Sequence, residues 1–377
     1  MDVAENQIEK SAEGYIGRIP VRNLWLLMLY ASDLFRERGM GMVGLEDSPD
    51  ELPDLVAEIL SRAVETRQRR HLSFGYRSRN AELNRVRGRI DVLNTERRQL
   101  LARGQVACRF DEFTIDTPRN RFVRAALETI SRVVHRPDIA RRCRSLANGM
   151  KTMGVSGNPP SLAQISTEQF GRHDTDDRFM VAAAKLAFDL ALPTEASGRN
   201  VLLLPDREIR WIRKLFEKAM GGFYDVVLSP KGWRVRCGYQ LGWQIEQRTP
   251  GIDKILPIMK TDVVLEHPLS GQRIVIDTKF TSIVTRGWYR DESLRSGYVY
   301  QIYAYLRSQV GRGDSLADSA QGLLLHPSVG TMVDETVVIQ GHRIRFATVD
   351  LTSSANEIRS QLLRLCEHSP LPPITTN

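Results

Sequence analysis

In the stretch KTDVVLEHPLSGQRIVIDTKF, residues 260–280, Asp262, Asp277 and Lys279 sit beside runs of valine and isoleucine. Strand interiors are normally depleted in Asp, yet Asp262 opens one apolar run while Asp277 and Lys279 close the next. Pro268-Leu269-Ser270-Gly271 between the runs reads as a turn. A hairpin folded about that turn brings Asp262 opposite Asp277 or its neighbours. Strand side chains alternate faces, so Asp277 and Lys279 project together, with Ile274, Ile276 and Phe280 on the other face. Two carboxylates so close repel unless a cation lies between them. Magnesium (Mg2+) takes hard oxygen ligands of this kind, commonly one or two carboxylates together with phosphate oxygens. The backbone carbonyl of Thr278 would complete the set. Lys279 beside it would orient a water or stabilise negative charge on a phosphorane-like transition state. The chemistry indicated is metal-assisted hydrolysis of a phosphodiester. A salt-bridged hairpin end is the bland reading of the same residues. Two further candidates flank the hairpin: Glu217 in LFEKAM, equally readable as a solvated acid, and Gln301 in YVYQIYAYLRS.

The elements that must position these residues follow from periodicity. A helix is expected over 207–224, strands over 234–237 and 242–247, then the hairpin. A loop over 281–291, a helix over 292–309 and a strand over 322–326 come next. A strand pair over 335–340 and 342–350 and a helix over 354–367 close the chain. This order predicts a mixed sheet flanked by helices, an α/β (α+β) arrangement. Upstream, IPVRNLWLLMLYASDLF, residues 19–35, reads as a buried apolar helix too short to span a bilayer. A helix over 50–66, strands near 72–76, 86–93 and 105–113, and helices over 117–134, 138–149 and 177–192 follow. The break PTEASGRNVLLLPD at 193–206 places a domain boundary there, giving units 1–195 and 196–377.

Composition narrows the class. The 377 residues are 42% hydrophobic and 26% charged, which fits a soluble globular chain of two or three domains. No run of 18 uncharged apolar residues exists, and the polar, acidic first residues lack the order of a signal peptide. Four scattered cysteines without a CxxC pair predict reduced thiols in a cytoplasmic protein, with no membrane involvement. Seven histidines without an HExxH pattern argue against a zinc hydrolase. The net charge of +8 and a pI near 9.4 favour an acidic partner such as nucleic acid. Eight arginines and one acid, Glu82, fall between Arg67 and Arg89, interleaved with Phe74 and Tyr76. That segment is either a solvated basic face or a surface for phosphate or an acidic protein. In GRHDTDD, residues 171–177, His173 clusters with Asp174, Asp176 and Asp177. Acids placed at a helix N-terminus explain these residues better than a metal site does. Arg286, Trp288, Tyr289 and Arg290, after the second strand of the hairpin, would contact phosphates and stack on DNA, or merely pack.

Several blocks together resemble the PD-(D/E)xK nuclease superfamily and, more narrowly, the McrC family, nuclease subunits of McrBC-type modified-cytosine restriction systems. They are IPVRNLWLLMLYASDLF, VRGRID, FDEFTIDTPRNRFVRAAL, ILPIMKTDVVL, IVIDTKF, YVYQIYAYL, GLLLHP and FATVDL, in order along the chain. The resemblance implies that Asp262 and Asp277 hold Mg2+ (or Mn2+), that Lys279 is the catalytic lysine, and that Gln301 is the family's helix glutamine. Glu217 lies where many such nucleases carry an extra acid. Lys260-Thr261, not a proline, precedes Asp262, a departure that leaves the acids intact. The resemblance also implies a partner: a McrB-like AAA+ GTPase hexamer that binds the GTP and carries the reader of modified cytosine in double-stranded DNA. The absence of a GxxxxGK[ST] loop agrees, since nucleotide must then be hydrolysed on another chain. Residues 1–195 would dock on that motor and stimulate it, with Arg77, Arg79, Arg85 and Arg87 at the contact, and 196–377 would be the endonuclease of a type IV system. A non-catalytic motor activator on a nuclease fold and a stand-alone repair nuclease are the alternatives.

Overall fold

A computed structural model of the chain describes residues 19–38, 51–172, 174–198, 205–285, 293–328 and 332–367. In chain order the helices and strands begin with α1 (Val21–Ala31), α2 (Asp33–Arg38), α3 (Leu52–Arg69), β1 (Gly75–Leu83), β2 (Arg89–Ile90), α4 (Val92–Arg97) and β3 (Val106–Thr114). Then come α5 (Pro118–Ile130), α6 (Pro137–Thr152), α7 (Leu162–Ser166), α8 (Thr175–Gly198), α9 (Pro205–Leu228), β4 (Arg234–Cys237), β5 (Gln240–Leu241) and β6 (Met259–Lys260). The rest is β7 (Val263–His267), β8 (Gln272–Thr278), β9 (Val284–Thr285), β10 (Ser293–Leu294), α10 (Ser296–Arg307), α11 (Ser315–Asp318), β11 (Gln321–Pro327), β12 (Asp334–Ile339), β13 (His342–Val349) and α12 (Ala355–Arg364).

These elements form two compact units, and the division differs from the expected 1–195 and 196–377 in where α1 and α2 belong. Pro53–Glu195 is one unit, while the described part of Met1–Leu52, namely α1 and α2, groups with Ala196–Asn377. The reason lies in α1, whose residues from Leu24 to Tyr30 are all buried. It lies against α9 so closely that a Cβ on Gly222 would sit 1.9 Å from the Tyr30 carbonyl oxygen. Rings of Tyr30 and Phe223 meet at 5.1 Å. Asn23 donates to the carbonyls of Leu351 (2.7 Å) and Ser353 (3.0 Å), beyond β13. The helix expected through Phe35 breaks at Ser32, which is extended and accepts from the Phe35 amide at 3.1 Å to start α2.

In the larger unit a six-stranded mixed sheet runs in the order β12-β13-β11-β8-β7-β4. β11 is parallel to both β8 and β13, and the remaining neighbours are antiparallel. The fold class is therefore α/β, as the element order predicts. α10 covers one face through Ile302 and Leu306, packed with Val275, Leu324, Ile344 and Phe346. It approaches β11 at Gly322, where a Cβ would lie 2.9 Å from Ile302. Two local expectations change. Residues 242–247 form no ladder: Gly238, at φ +62, turns the chain off β4 into the short β5, whose pairing with β6 ends at Leu241, and Trp243 instead donates to the Pro257 carbonyl at 2.7 Å. The helix expected from 292 begins at Ser296, since Ser293 and Leu294 pair with β9.

The Pro53–Glu195 unit combines helices with an antiparallel sheet ordered β1-β3-β2. α5 opens on Pro118 behind Thr117, whose side chain accepts from the Asn120 amide. Asn120 is fully buried and donates to the carbonyls of Ser73 and Ile115, both at 2.8 Å. The acids of 171–177 serve this unit structurally. Asp177, fully buried in the first turn of α8, pairs with Arg67 (2.6 Å) and Arg119 (3.0 Å). Asp174 lies 3.6 Å from Arg119 and Asp176 3.1 Å from Arg70. His173 lies outside the described residues. Asp177→Asn takes the counter-charge from largely buried Arg67 and one of three from Arg119, which keeps Glu168 at 3.0 Å and Asp174, and is expected to cost roughly 2 kcal/mol in urea unfolding.

Candidate active site

β8 is the strand that organises the site. It pairs antiparallel with β7, Val263 opposite Ile276, and parallel with β11, Leu324 beside Asp277. Asp262 is the residue just before β7, so the register carries it to the end of β8. There its Oδ2 accepts from both the amide and the hydroxyl of Thr278, each at 2.7 Å. The Asp262 carbonyl in turn accepts from the Gly238 amide at 2.8 Å. The first acid is thus held at a strand end, where its carboxylate replaces a ladder partner rather than interrupting one.

Asp277 is inside the strand and 1% exposed. Lys279 lies two residues on, and its Nζ is 2.7 Å from the Asp277 Oδ2. The pair is an ion contact, since the same oxygen accepts no hydrogen bond of regular geometry. Burial pushes the Asp277 carboxyl up from the ordinary value to about 6. Lys279 opposes that rise, and the like charges of Asp262 and Glu217 add to it. Glu217, on α9, is also raised, first by burial and then by Asp262. The Lys279 amide donates to the Leu325 carbonyl at 2.9 Å, extending the ladder past β8, and its ammonium stands 5.2 Å from the Tyr298 ring centroid.

Gln301 reaches the site through an intermediary. Its amide nitrogen donates to the Tyr305 hydroxyl (2.6 Å), which donates to the Lys260 carbonyl (2.9 Å) on β6. The pair is one helical turn apart, so both face the sheet. This relay ties α10 to the segment that delivers Asp262. Tyr305 is not marked out by the sequence except by its spacing of four from Gln301. His326, fully buried on β11, is not marked out either, because a lone histidine in an apolar run reads as core. Further back along the same sheet face, a cavity of about 140 Å³ adjoins Val275 and Tyr305. Its arginines are committed elsewhere: Arg236 closes onto Glu266, and Arg273 onto Glu266 (2.6 Å) and Asp314 (2.7 Å).

The structure therefore brings Asp262, Asp277, Thr278, Lys279 and Glu217 into one electrostatic neighbourhood, with Gln301 joined by Tyr305. Among the described residues no three His, Cys, Asp or Glu side chains form a ready-made metal cage. Arg286, Trp288 and Arg290 lie outside the described residues. Of the candidate docking arginines, Arg77 and Arg79 are on β1, and Arg85 and Arg87 are in the loop after it. Arg77 pairs with Asp116 and Arg79 with Glu112, both at 3.1 Å, Arg87 stacks 4.2 Å over the Phe110 ring, and Arg85 is exposed. Arg77 and Arg79 thus share a strand face with Glu112 and Phe110, and Phe74, Tyr76 and Phe113 cluster on the opposite face, all exposed. No described helix is long and apolar enough to cross a membrane.

No curated protein matches the chain. Among solved structures it is similar to a chain in the half-complex refined from a tetradecameric assembly of Thermococcus gammatolerans McrB AAA+ hexamers with bound McrC. The identity is 14% over 83% of this chain and 68% of that one, with a TM-score of 0.39. It is also similar to a chain in the cryo-EM structure of the Thermococcus gammatolerans McrBC complex, at 17% identity over 36% of this chain and 40% of that one, TM-score 0.30. Both scores are too low to establish a shared arrangement. The family evidence lies in residues 4–195, upstream of the hairpin acids and just over half of the chain, which match the model described as McrBC 5-methylcytosine restriction system component. On that match, the chain belongs to the McrBC 5-methylcytosine restriction system component family.

Proposed function

We propose that this chain is the McrC-type endonuclease subunit of a GTP-dependent restriction complex, hydrolysing phosphodiesters in double-stranded DNA that carries modified cytosine. The observation that carries the reading is the convergence of Asp262, Asp277 and Lys279 at the end of the β7–β8 hairpin. A structural ion pair needs only one acid, whereas here a second and a third carboxylate press on a buried one. That arrangement fits a hard divalent cation. Asp262 and Asp277 would hold Mg2+ (or Mn2+), with the Thr278 carbonyl and Glu217 as further oxygens, the few-ligand mode this ion favours when phosphate supplies the rest. When bound, the cation supplies charge neutralisation for the phosphodiester oxygens. Lys279 adds positive charge where the transition state becomes more anionic. Thr278 fixes the direction of Asp262, and Gln301 and Tyr305 brace the chain leading to it.

For the partner, the support is the family together with the sequence blocks that resemble McrC. The nucleotide-hydrolysing chain would be a McrB-like AAA+ hexamer, docked on the smaller unit through the arginines of β1 and its following loop. Reconstitution with such a GTPase, methylated DNA, GTP and Mg2+ tests both parts. Cleavage should require every component and fall at least about a hundredfold in Asp262→Ala. Wild-type cleavage by that variant would sink the catalytic assignment, and cleavage without GTPase or GTP would sink the subunit assignment. Reversing the charges of Arg77, Arg79 and Arg85 should lower GTPase stimulation; unchanged stimulation removes that surface from the contact.

A further inference from the structure

His326 sits at the end of β11, directly after Leu325, whose carbonyl accepts from the Lys279 amide. Leu324 lies beside Asp277 in register, so His326, two residues further, falls on the same sheet face as Asp277 and Lys279. Its ring Nδ1 is 2.8 Å from the Thr281 carbonyl oxygen. A carbonyl can only accept, so Nδ1 carries the proton and Nε2 the lone pair. Burial, with Lys279 and Arg295 nearby, lowers the ring's pKa to about 4 and keeps it neutral. The Nε2 is buried and has no partner among the described residues. A buried acceptor without a donor costs on the order of 1–3 kcal/mol by itself, so it calls for a cause.

Among the donors nearby, Arg295 lies 5.9 Å from the Tyr298 ring and the Thr281 hydroxyl is buried, but Lys279 is the one whose present anionic contact a cation would displace. The Lys279 ammonium rests against Asp277 Oδ2 at 2.7 Å, yet it also lies 5.2 Å from the Tyr298 ring centroid. The Tyr298 ring is 5.9 Å from that of His326. Lys279 therefore has an anionic contact at Asp277 and an aromatic one at Tyr298, with the His326 ring next to the latter. A divalent cation on Asp277 would repel the ammonium from its present seat. We propose that the Tyr298 ring and the His326 Nε2 form a second seat that receives the Lys279 ammonium when Asp277 binds a divalent cation, making His326 a positioning residue. This rests on the cation reading given above. Cation binding then costs less than it would if Lys279 were expelled with no acceptor.

Calcium titration of the full chain by calorimetry tests the seat without relying on cleavage. His326→Gln sets an amide oxygen near the Nε2 position and gives up the Thr281 contact. His326→Asn keeps a donor near the Nδ1 position and gives up the acceptor. The Gln variant should bind calcium nearly as wild type does, and the Asn variant about tenfold more weakly, the scale of one hydrogen bond to a charged group. A purely structural role for His326 inverts that order, in calcium affinity and in melting temperature alike. Equal affinities, or a weaker Gln variant, would overturn the seat. Asp277→Asn should abolish calcium binding. If it does and His326→Asn binds as wild type, the seat alone is wrong. If Asp277→Asn binds calcium normally, the cation reading has failed and the seat falls with it.

Discussion

Asp277→Asn should leave the protein unable to cleave DNA and, without divalent cation, more stable than wild type at pH 8. The carboxyl is 1% exposed, and its pKa in the folded chain rises from 3.8 to about 6. A folded value above the unfolded one means that folding favours the protonated form. The group's contribution is then fully present below about pH 4 and is lost as pH rises through about 6. Above that, holding the charged carboxylate costs about 3 kcal/mol, the product of the shift and the energy per pH unit. Asparagine has nearly the same shape and never carries the charge. It should recover roughly 1–3 kcal/mol at pH 8, and the advantage should vanish near pH 4, where both side chains are neutral. Urea unfolding at the two pH values measures this directly. Adding Mg2+ should reverse the order, because only the wild type gains binding free energy. A variant less stable than wild type at pH 8 would show that the Lys279 ion pair outweighs burial.

Gly222→Ala should be the most damaging single methyl in the larger unit. Its Cβ would lie 1.9 Å from the backbone oxygen of Tyr30, which no rotamer change can move aside. Relief requires α1 to shift as a body, at the expense of the Tyr30 and Phe223 contact and the Asn23 hydrogen bonds. The expected loss is about 3 kcal/mol or more, read as a large fall in melting temperature or in soluble yield. Gly221→Ala is the natural control. There the new atom meets the Cys237 sulfur at 2.6 Å, a side-chain end that can give way. Equal melting temperatures for Gly222→Ala and wild type would show that α1 does not lie on α9 as described.

How far the sequence carried the reading depends on whether the deciding force was local. The β7–β8 hairpin was legible because alternation and a turn signal are short-range, and they place Asp262, Asp277 and Lys279 together without further help. Residues 242–247 alternate just as well, yet alternation makes a strand only where a neighbouring strand offers a ladder, and the pairing of β5 with β6 ends at Leu241. Ser32 ends α1 through a side-chain bond to the Phe35 amide, a choice between helix and cap that apolar periodicity does not register. The grouping of α1 with the second half of the chain was hidden because it depends on α9 and Leu351, far along the sequence. Tyr305 and His326 were hidden for another reason. Each is a common core residue, and only its position against Lys260, Lys279 or Thr281 makes it more than that.

The placement of α1 also has a consequence in time. This helix is made well before the surfaces that bury it, α9 and the carbonyls after β13. Until they emerge, an apolar segment remains uncovered, and such segments bind one another or a chaperone. A fragment ended at residue 195 would keep that segment and lose its cover, so severing the chain at the apparent linker separates a helix from its own fold.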